Sequence, residues 1–194
     1  MTACLRTVEG RALPIRTDPW LDLPTPEDDA VLARAVPPVL DVGCGPGRHV
    51  LALAQRGVLA LGIDITPAAL DLARRRGAPV LARSVFDRVP GVGRWATALL
   101  LDGNLGIGGE PAALLGRVVR LLAPGGSVLV ELLSPGSALA AARVRLDIGS
   151  VEGPSFAWTT VGVDELSTAA TAAGLHVEDV WSAGDRWFGH LRRG

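Results

Sequence analysis

Between positions 39 and 49 the chain reads Val-Leu-Asp-Val-Gly-Cys-Gly-Pro-Gly-Arg-His. Glycines at 43, 45 and 47 let the backbone turn sharply and let a ligand come closer than a Cβ would allow. An apolar run precedes them and a helix-like stretch follows, over residues 48–56. Strand, glycine turn and helix form the unit that holds nucleotide-like ligands in open α/β sheets. Asp64 stands 21 residues after Gly43, at the end of a second apolar run, 58–65. A carboxylate there can accept hydrogen bonds from two ribose hydroxyls. Further on, Leu101-Asp102-Gly103-Asn104-Leu105-Gly106-Ile107-Gly108-Gly109 puts four glycines into seven positions. Asp102 could orient or deprotonate a hydroxyl or amine beside such a loop, and Asn104 could hydrogen-bond it. Plainer readings stand beside these. The glycine turn could serve only close packing of helix on strand, and Asp102 and Asn104 could only shape turns. Asp64 could cap the next helix, although Thr66-Pro67 already offers a cap.

Periodicity and capping residues outline the elements that position these groups. Residues 1–25 are polar, broken by proline and weakly patterned. Thr25-Pro26-Glu27 then starts a helix to about residue 35, with Thr as N-cap, Pro at the first helical position and acids in the first turn. Strands are expected over 39–42, 58–63, 79–82, 96–101 and 127–133, the last after a Pro124-Gly125-Gly126 turn. Helices fill 47–56 and 67–76, and Leu114, Leu115, Val118, Leu121 and Leu122 mark one face of another. Such alternation, with continuously apolar strands, predicts an α/β, doubly wound, mostly parallel sheet. Residues 143–148 and 156–161 alternate as extended segments. Asp164 is expected to cap a helix through residue 173. Strands at 175–181 and 186–191, joined by Ser182-Ala183-Gly184-Asp185, predict an antiparallel hairpin at the sheet edge. Two units result: an N-terminal segment and helix over 1–36, available as a substrate cap, and a ligand-binding domain over 37–194.

At 194 residues, 48% of them apolar, the chain can bury a single sizeable core. A formal net charge of −1 provides no global field toward nucleic acid or an anionic membrane. All 19 basic residues are arginine, which fits a GC-rich coding bias that also favours Ala, Gly, Val and Pro, with anion recognition as the other reading. Cys4 and Cys44 make no disulfide framework, which predicts a reducing, cytoplasmic setting. No signal-peptide core and no stretch of 18 apolar residues is present. Nor is a cluster with metal-ligand spacing, so no metal is expected.

The G-x-G-x-G spacing, with Asp41 two residues before it, resembles motif I of class I S-adenosylmethionine-dependent methyltransferases. Asp64 is similar to the acidic residue that this family places on the ribose. Leu122-Ala123-Pro124-Gly125-Gly126-Ser127-Val128-Leu129-Val130 looks like its late helix-turn-strand signature. The resemblance runs from about residue 38 to 133 and more weakly to 192. It implies a Rossmann-like sheet of seven strands with an antiparallel C-terminal strand, S-adenosylmethionine as cofactor, and direct methyl transfer to a small-molecule acceptor. Asp41 would meet the ligand's ammonium group, directly or through water, and Gly43, Cys44, Gly45 and Gly47 would pass its methionine tail. Asp64 and Ile65 would take the ribose, with Ser84 and Val85 at the adenine and Leu101 under the reacting end. Many members have Asp where this chain has Ser84, which accepts from the adenine amino group more weakly. Phe86 is either an adenine platform or core.

The resemblance puts the reacting end over Asp102 and Asn104. His49, at a helix start beside the turn, is either a base or a packed helix residue. Arg48 opposes the helix dipole there. The family builds acceptor pockets from the N-terminal segment and the insert after the fifth strand. Here these hold Arg16, Asp18 and Trp20, then Arg143, Arg145, Phe156 and Trp158, with the two tryptophans equally readable as core. The inserts are short, which suits a small acceptor and neither nucleic acid nor membrane. The Asn-Pro-Pro-aromatic signature of nucleobase N-methylation is absent. The alternatives are a module that binds or senses S-adenosylmethionine without turnover, an RNA or protein methyltransferase, and a nicotinamide dehydrogenase. Replacing Asp64 by Ala is expected to weaken cofactor binding and leave the ligand-free protein's stability nearly unchanged.

Overall fold

The computed structural model describes residues 3–10, 18–137 and 140–194. Strand β1 (Ala3–Thr7) and a short 3-10 turn (Asp18–Leu21) precede helix α1 (Pro26–Leu32). Then come β2 (Val39–Val42), α2 (Arg48–Gln55), β3 (Ala60–Asp64), α3 (Pro67–Arg75) and β4 (Val80–Ala82). They are followed by β5 (Trp95–Leu100), α4 (Pro111–Val119) and β6 (Leu122–Leu132). The chain continues through β7 (Ala140–Ile148), β8 (Ser155–Thr160), α5 (Val163–Ala172), β9 (Leu175–Ala183) and β10 (Arg186–Arg193).

Seven strands form the main sheet in the order β4-β3-β2-β5-β6-β10-β9. The pairs from β4 through β6 are parallel, and β10 runs antiparallel to both β6 and β9. This is the doubly wound, mostly parallel sheet expected, closed by an antiparallel C-terminal strand. Strand side chains alternate between its faces. Leu40, Val42, Ala98 and Leu100 pack with Leu114, Val118 and Leu166 of α4 and α5. Val39, Leu99, Leu101 and Phe188 pack with Val31, Leu32 and Leu53 of α1 and α2. The sheet order steps from β3-β2 to β5 beside the first strand of the unit, the switch point at which open α/β sheets bind ligands.

A second sheet, β1-β7-β8, is antiparallel throughout. The extended segments expected at 143–148 and 156–161 supply two of its strands. The third corrects the reading of the N-terminus: Ala3–Thr7 pairs with Thr7 opposite Val144 and Ala3 opposite Ile148. Five residues with one buried leucine carry little periodicity, so only the distant partner strand makes this segment extended.

Three boundaries differ as well. β6 begins at Leu122, five residues before the expected start at 127, because Leu122 pairs with Trp95 and the Pro-Gly-Gly turn is absorbed as an irregularity in the ladder. Helix α5 is capped at Gly162, with Glu165 returning a bond to its N–H, while Asp164 accepts from Gly136 N instead. The final hairpin turns on Gly184 and Asp185 alone, Gly184 at φ +59°.

Candidate active site

β2 ends by handing its chain to the glycine turn. The N–H groups of Gly43 and Cys44 both donate to Ile63 O, which ties the turn to β3. Gly43, Gly45 and Gly47 all have positive φ. Gly45 faces open space, with no atom within 4 Å of where a Cβ would stand. Gly47 is different: a Cβ there would lie 2.9 Å from the Ala78 Cβ and 3.1 Å from that of Ala73. It starts α2 and seats it against the α3 side, and it does not reach the cavity.

That cavity, about 280 Å³, lies at the C-terminal ends of β2, β3, β4 and β5. Gly43, Cys44, Gly45, Asp64, Ile65, Ser84 and Val85 line it, so seven of the ten residues expected at the cofactor come together there. Gly47, Asp41 and Leu101 do not. Leu101 is fully buried among the α1 and α2 contacts below the sheet, because it falls on the opposite side of the strand from the site. Asp41 is buried under the turn, its Oδ2 without a hydrogen-bond partner and 4.0 Å from His49 Nδ1. Burial pushes its carboxyl up to about 6, only partly opposed by the field of His49.

Asp64 accepts from Gly45 N at 2.8 Å through Oδ2 and from Thr66 N at 2.7 Å through Oδ1. It therefore anchors the glycine turn and the start of α3 while lining the cavity. Thr66 occupies the N-cap position, but its side chain makes no capping bond. Burial raises the Asp64 carboxyl, and the two N–H donors oppose that rise. Ser84 Oγ accepts from Phe86 N at 3.2 Å, and Val85 O is taken by Arg117 Nε at 2.8 Å. Phe86 is half-exposed at the cavity edge, its ring so near Gly108 that a Cβ there would lie 2.7 Å from it.

At the far end the three residues expected to act on an acceptor fare differently. Asn104 is buried and its Nδ2 donates to Val42 O and Gly43 O at 3.0 and 2.9 Å. It laces the β5 loop to the glycine turn. His49 is buried with Nε2 3.2 Å from Asp28 Oδ1. Burial works against its charge, but Asp28 outweighs that and its pKa is raised. Both groups hold elements together and also line the cavity. Asp102 remains at the surface of the site, and it is the one non-glycine residue with positive φ, +54°, among the described residues. Such a conformation is uncommon outside glycine and collects at functional positions.

Asp102 is fixed by charge. Arg48 Nη2 donates to its two oxygens at 2.8 and 3.0 Å, and Asp102 N donates to Glu131 Oε2 at 2.7 Å. Arg48 also bonds Asp28 through Nη1. Arg186, on β10, binds Glu131 in two-pronged fashion at 2.8 Å and Asp28 at 2.7 Å. Asp28 pairs despite complete burial: hydrogen bonds from His49, Thr25 and Arg186 hold its carboxyl far below the usual range against the cost of desolvation. This answers why a cation opens α2. Arg48 meets two carboxylates that outweigh the helix dipole.

Asp28, Glu131 and Arg186 were absent from the expected site. Asp28 reads as an ordinary first-turn acid in a Thr25-Asp28 capping box, which it also is. Only its burial marks it out. Trp20, Trp158, Phe156, Leu5 and Leu146 wall the cavity from the second sheet and the N-terminal segment, so the tryptophans are both packed and site-lining. Arg143 bonds Ser155 and Arg145 pairs with Glu152, both away from the cavity lining. Arg16 lies outside the described residues, as does the side chain of Asp18. Among the described residues no group of three or more His, Cys, Asp or Glu side chains is arranged to hold a metal ion. No helix there is long and apolar enough to cross a membrane.

Residues 39–126 match the family described as "Methyltransferase domain". They span the glycine turn, Asp64 and the Asp102 loop. This segment is a methyltransferase domain of the class I fold. Over 131 residues the chain is 35% identical to an uncharacterized protein of Mycobacterium tuberculosis, a match covering 62% of this chain and 44% of that one. The chain thus spans less than half the length of the curated relatives it matches. Its fold is similar to that of a methyltransferase from Bacteroides fragilis solved with S-adenosyl-L-homocysteine, with TM-score 0.77, 22% identity, and 98% and 87% of the two chains covered. It is also similar to 1,6-didemethyltoxoflavin-N1-methyltransferase of Burkholderia thailandensis, with TM-score 0.62, 22% identity, and 87% and 76% covered.

Proposed function

We propose that this methyltransferase domain binds S-adenosylmethionine in the 280 Å³ cavity and transfers its methyl group directly to a small molecule. One observation carries the reading: Gly45 and Asp64 are joined by a hydrogen bond and line the same space, Gly45 offering bare backbone and Asp64 a partly buried carboxylate. Bare backbone suits the methionine tail. The carboxylate keeps lone pairs for ribose hydroxyls after accepting its two N–H bonds. Ile65, Ser84, Val85 and Phe86 form the flank on which adenine would lie. When bound, S-adenosylmethionine supplies an electrophilic methyl on sulfonium. The chain's part is to hold donor and acceptor in line and exclude water, which by itself accounts for much of the acceleration such reactions need.

A small acceptor is supported by the walls. Trp20 and Leu5 from the N-terminal segment, with Leu146, Phe156 and Trp158 from the second sheet, close the cavity on the side away from the glycine turn. Through Leu5 and Trp20 the N-terminal segment supplies part of the cap over the domain at 37–194. The Burkholderia neighbour was solved with bound 1,6-didemethyltoxoflavin and S-adenosylhomocysteine. The two unpaired cysteines fit a reducing, cytoplasmic setting.

Thermal unfolding with S-adenosylhomocysteine and, separately, with NAD tests the donor assignment. At 100 times its dissociation constant a ligand adds about 2.7 kcal/mol. For a chain of this size the midpoint then rises by roughly 5 to 10 °C. No rise with S-adenosylhomocysteine, or a larger one with NAD, overturns the proposal. Binding without transfer to any acceptor would favour the sensing alternative, with His49 and Asn104 both already engaged.

A further inference from the structure

A second cavity, about 560 Å³, opens behind the first and shares Arg48, Asp102 and Trp158 with it. Its other walls come from the start of α1, the end of β6 and the turn into β10, including Glu27, Glu131, Ser134, Thr160 and Arg186. The charges here do not cancel. Two guanidiniums, Arg48 and Arg186, meet the carboxylates of Asp28, Asp102 and Glu131, with Glu27 on the rim. Each arginine already spans two of those carboxylates, so its charge is matched locally, although Arg48 Nε keeps one buried donor without a partner. A proton on His49, which touches Asp28, adds one positive charge and still leaves a negative excess. In the shared wall Trp158 is 3% exposed, and its indole N–H has no partner. A buried donor of that kind is ordinarily satisfied, and a ligand oxygen would do it.

We infer that this second cavity is the acceptor site and that it takes a small hydroxylated amine, its nitrogen drawn to Asp102 and its oxygen to Trp158. The inference rests on the methyl-donor reading above for its chemistry, though not for its charge preference. The ammonium first gives up a proton to a carboxylate or water. Its nitrogen lone pair then forms the N–C bond as the C–S bond breaks, and that bond's electron pair leaves with sulfur. The products are an N-methylammonium and the thioether S-adenosylhomocysteine.

Three ring compounds of nearly equal shape test this: 4-aminocyclohexanol, cyclohexane-1,4-diol and 4-hydroxycyclohexanecarboxylate. Each is titrated into the full chain saturated with S-adenosylhomocysteine, with amide chemical shifts followed by NMR. The amine should bind at least tenfold more tightly than the carboxylate at low salt. Its advantage should shrink severalfold at 0.5 M salt, where charges on the rim are screened, and severalfold in Glu27→Gln. A carboxylate that binds as well as the amine overturns the inference, and so does absence of binding by all three. The S-adenosylhomocysteine titration itself reports the donor reading. If that fails, the same trio on the ligand-free chain still measures the charge preference.

Discussion

Asp64 serves the turn as well as the cavity, and this changes what its removal should do. Asp64→Ala strips the partner from two backbone N–H groups, those of Gly45 and Thr66. An unsatisfied buried donor costs about 1–3 kcal/mol. Denaturant unfolding of the ligand-free variant should therefore show a loss of that size, in addition to weakened S-adenosylhomocysteine binding. The sequence reading expected stability to survive, since nothing in the spacing of Asp64 reveals that its oxygens face N–H groups from two other elements. Asp41 makes a second prediction at this scale. Its folded pKa is raised from 3.8 to about 6 by burial. The folded state then holds a proton that the unfolded state has released, so this group's contribution is present below pH 3.8 and is lost as pH rises to about 6. The difference is on the order of 3 kcal/mol. Asp41→Asn should remove that decline from a plot of unfolding free energy against pH. An unchanged slope between pH 4 and 6 would show that Asp41 is not the group responsible.

Within the glycine turn, identical residues do different work, and substitution separates them. Gly45→Ala strains a positive φ, which costs about 1–2 kcal/mol, and puts a methyl into the ligand cavity. Calorimetric titration should show S-adenosylhomocysteine affinity falling at least tenfold. Gly47→Ala carries the same strain and adds overlap with Ala78 and Ala73. Its loss of stability should be larger, about 2–4 kcal/mol, with affinity of the folded fraction within a few-fold of the parent. Equal affinities for the two variants would sink the distinction. The turn itself was legible because glycine spacing and a flanking apolar run are local signals. Strand β1 was not, since its order is conferred by pairing with β7, some 140 residues along the chain. The extension of β6 past Pro124-Gly125-Gly126 was hidden for the same reason: Leu122 is held by Trp95 across the sheet.

Across the whole molecule, the charge cluster joins elements that no local interaction connects. Arg186 ties the end hairpin to α1 through Asp28 and to β6 through Glu131. Arg186 and Glu131 are 18% and 15% exposed, and Asp28 is fully buried. Breaking a buried pair costs 3–5 kcal/mol, and partial exposure puts Arg186→Ala near the lower end, about 3 kcal/mol. Thermal unfolding should show that loss, and a loss below 0.5 kcal/mol would make the cluster ornamental to stability. The sequence by itself determined the class of sheet, the glycine turn, Asp64 as the acid beside it and the antiparallel edge. These follow from residue period, turn chemistry and spacing, which act over a few residues and so are written in order along the chain. Tertiary structure alone decided that Asn104 and His49 brace neighbouring elements while lining the cavity, that Leu101 packs away from the site, and that Asp102 is held by Arg48 at the edge of a charge cluster drawn from four elements. Those outcomes depend on which face a strand turns and on which distant side chains share a buried space, and neither burial nor partnership has a local signature.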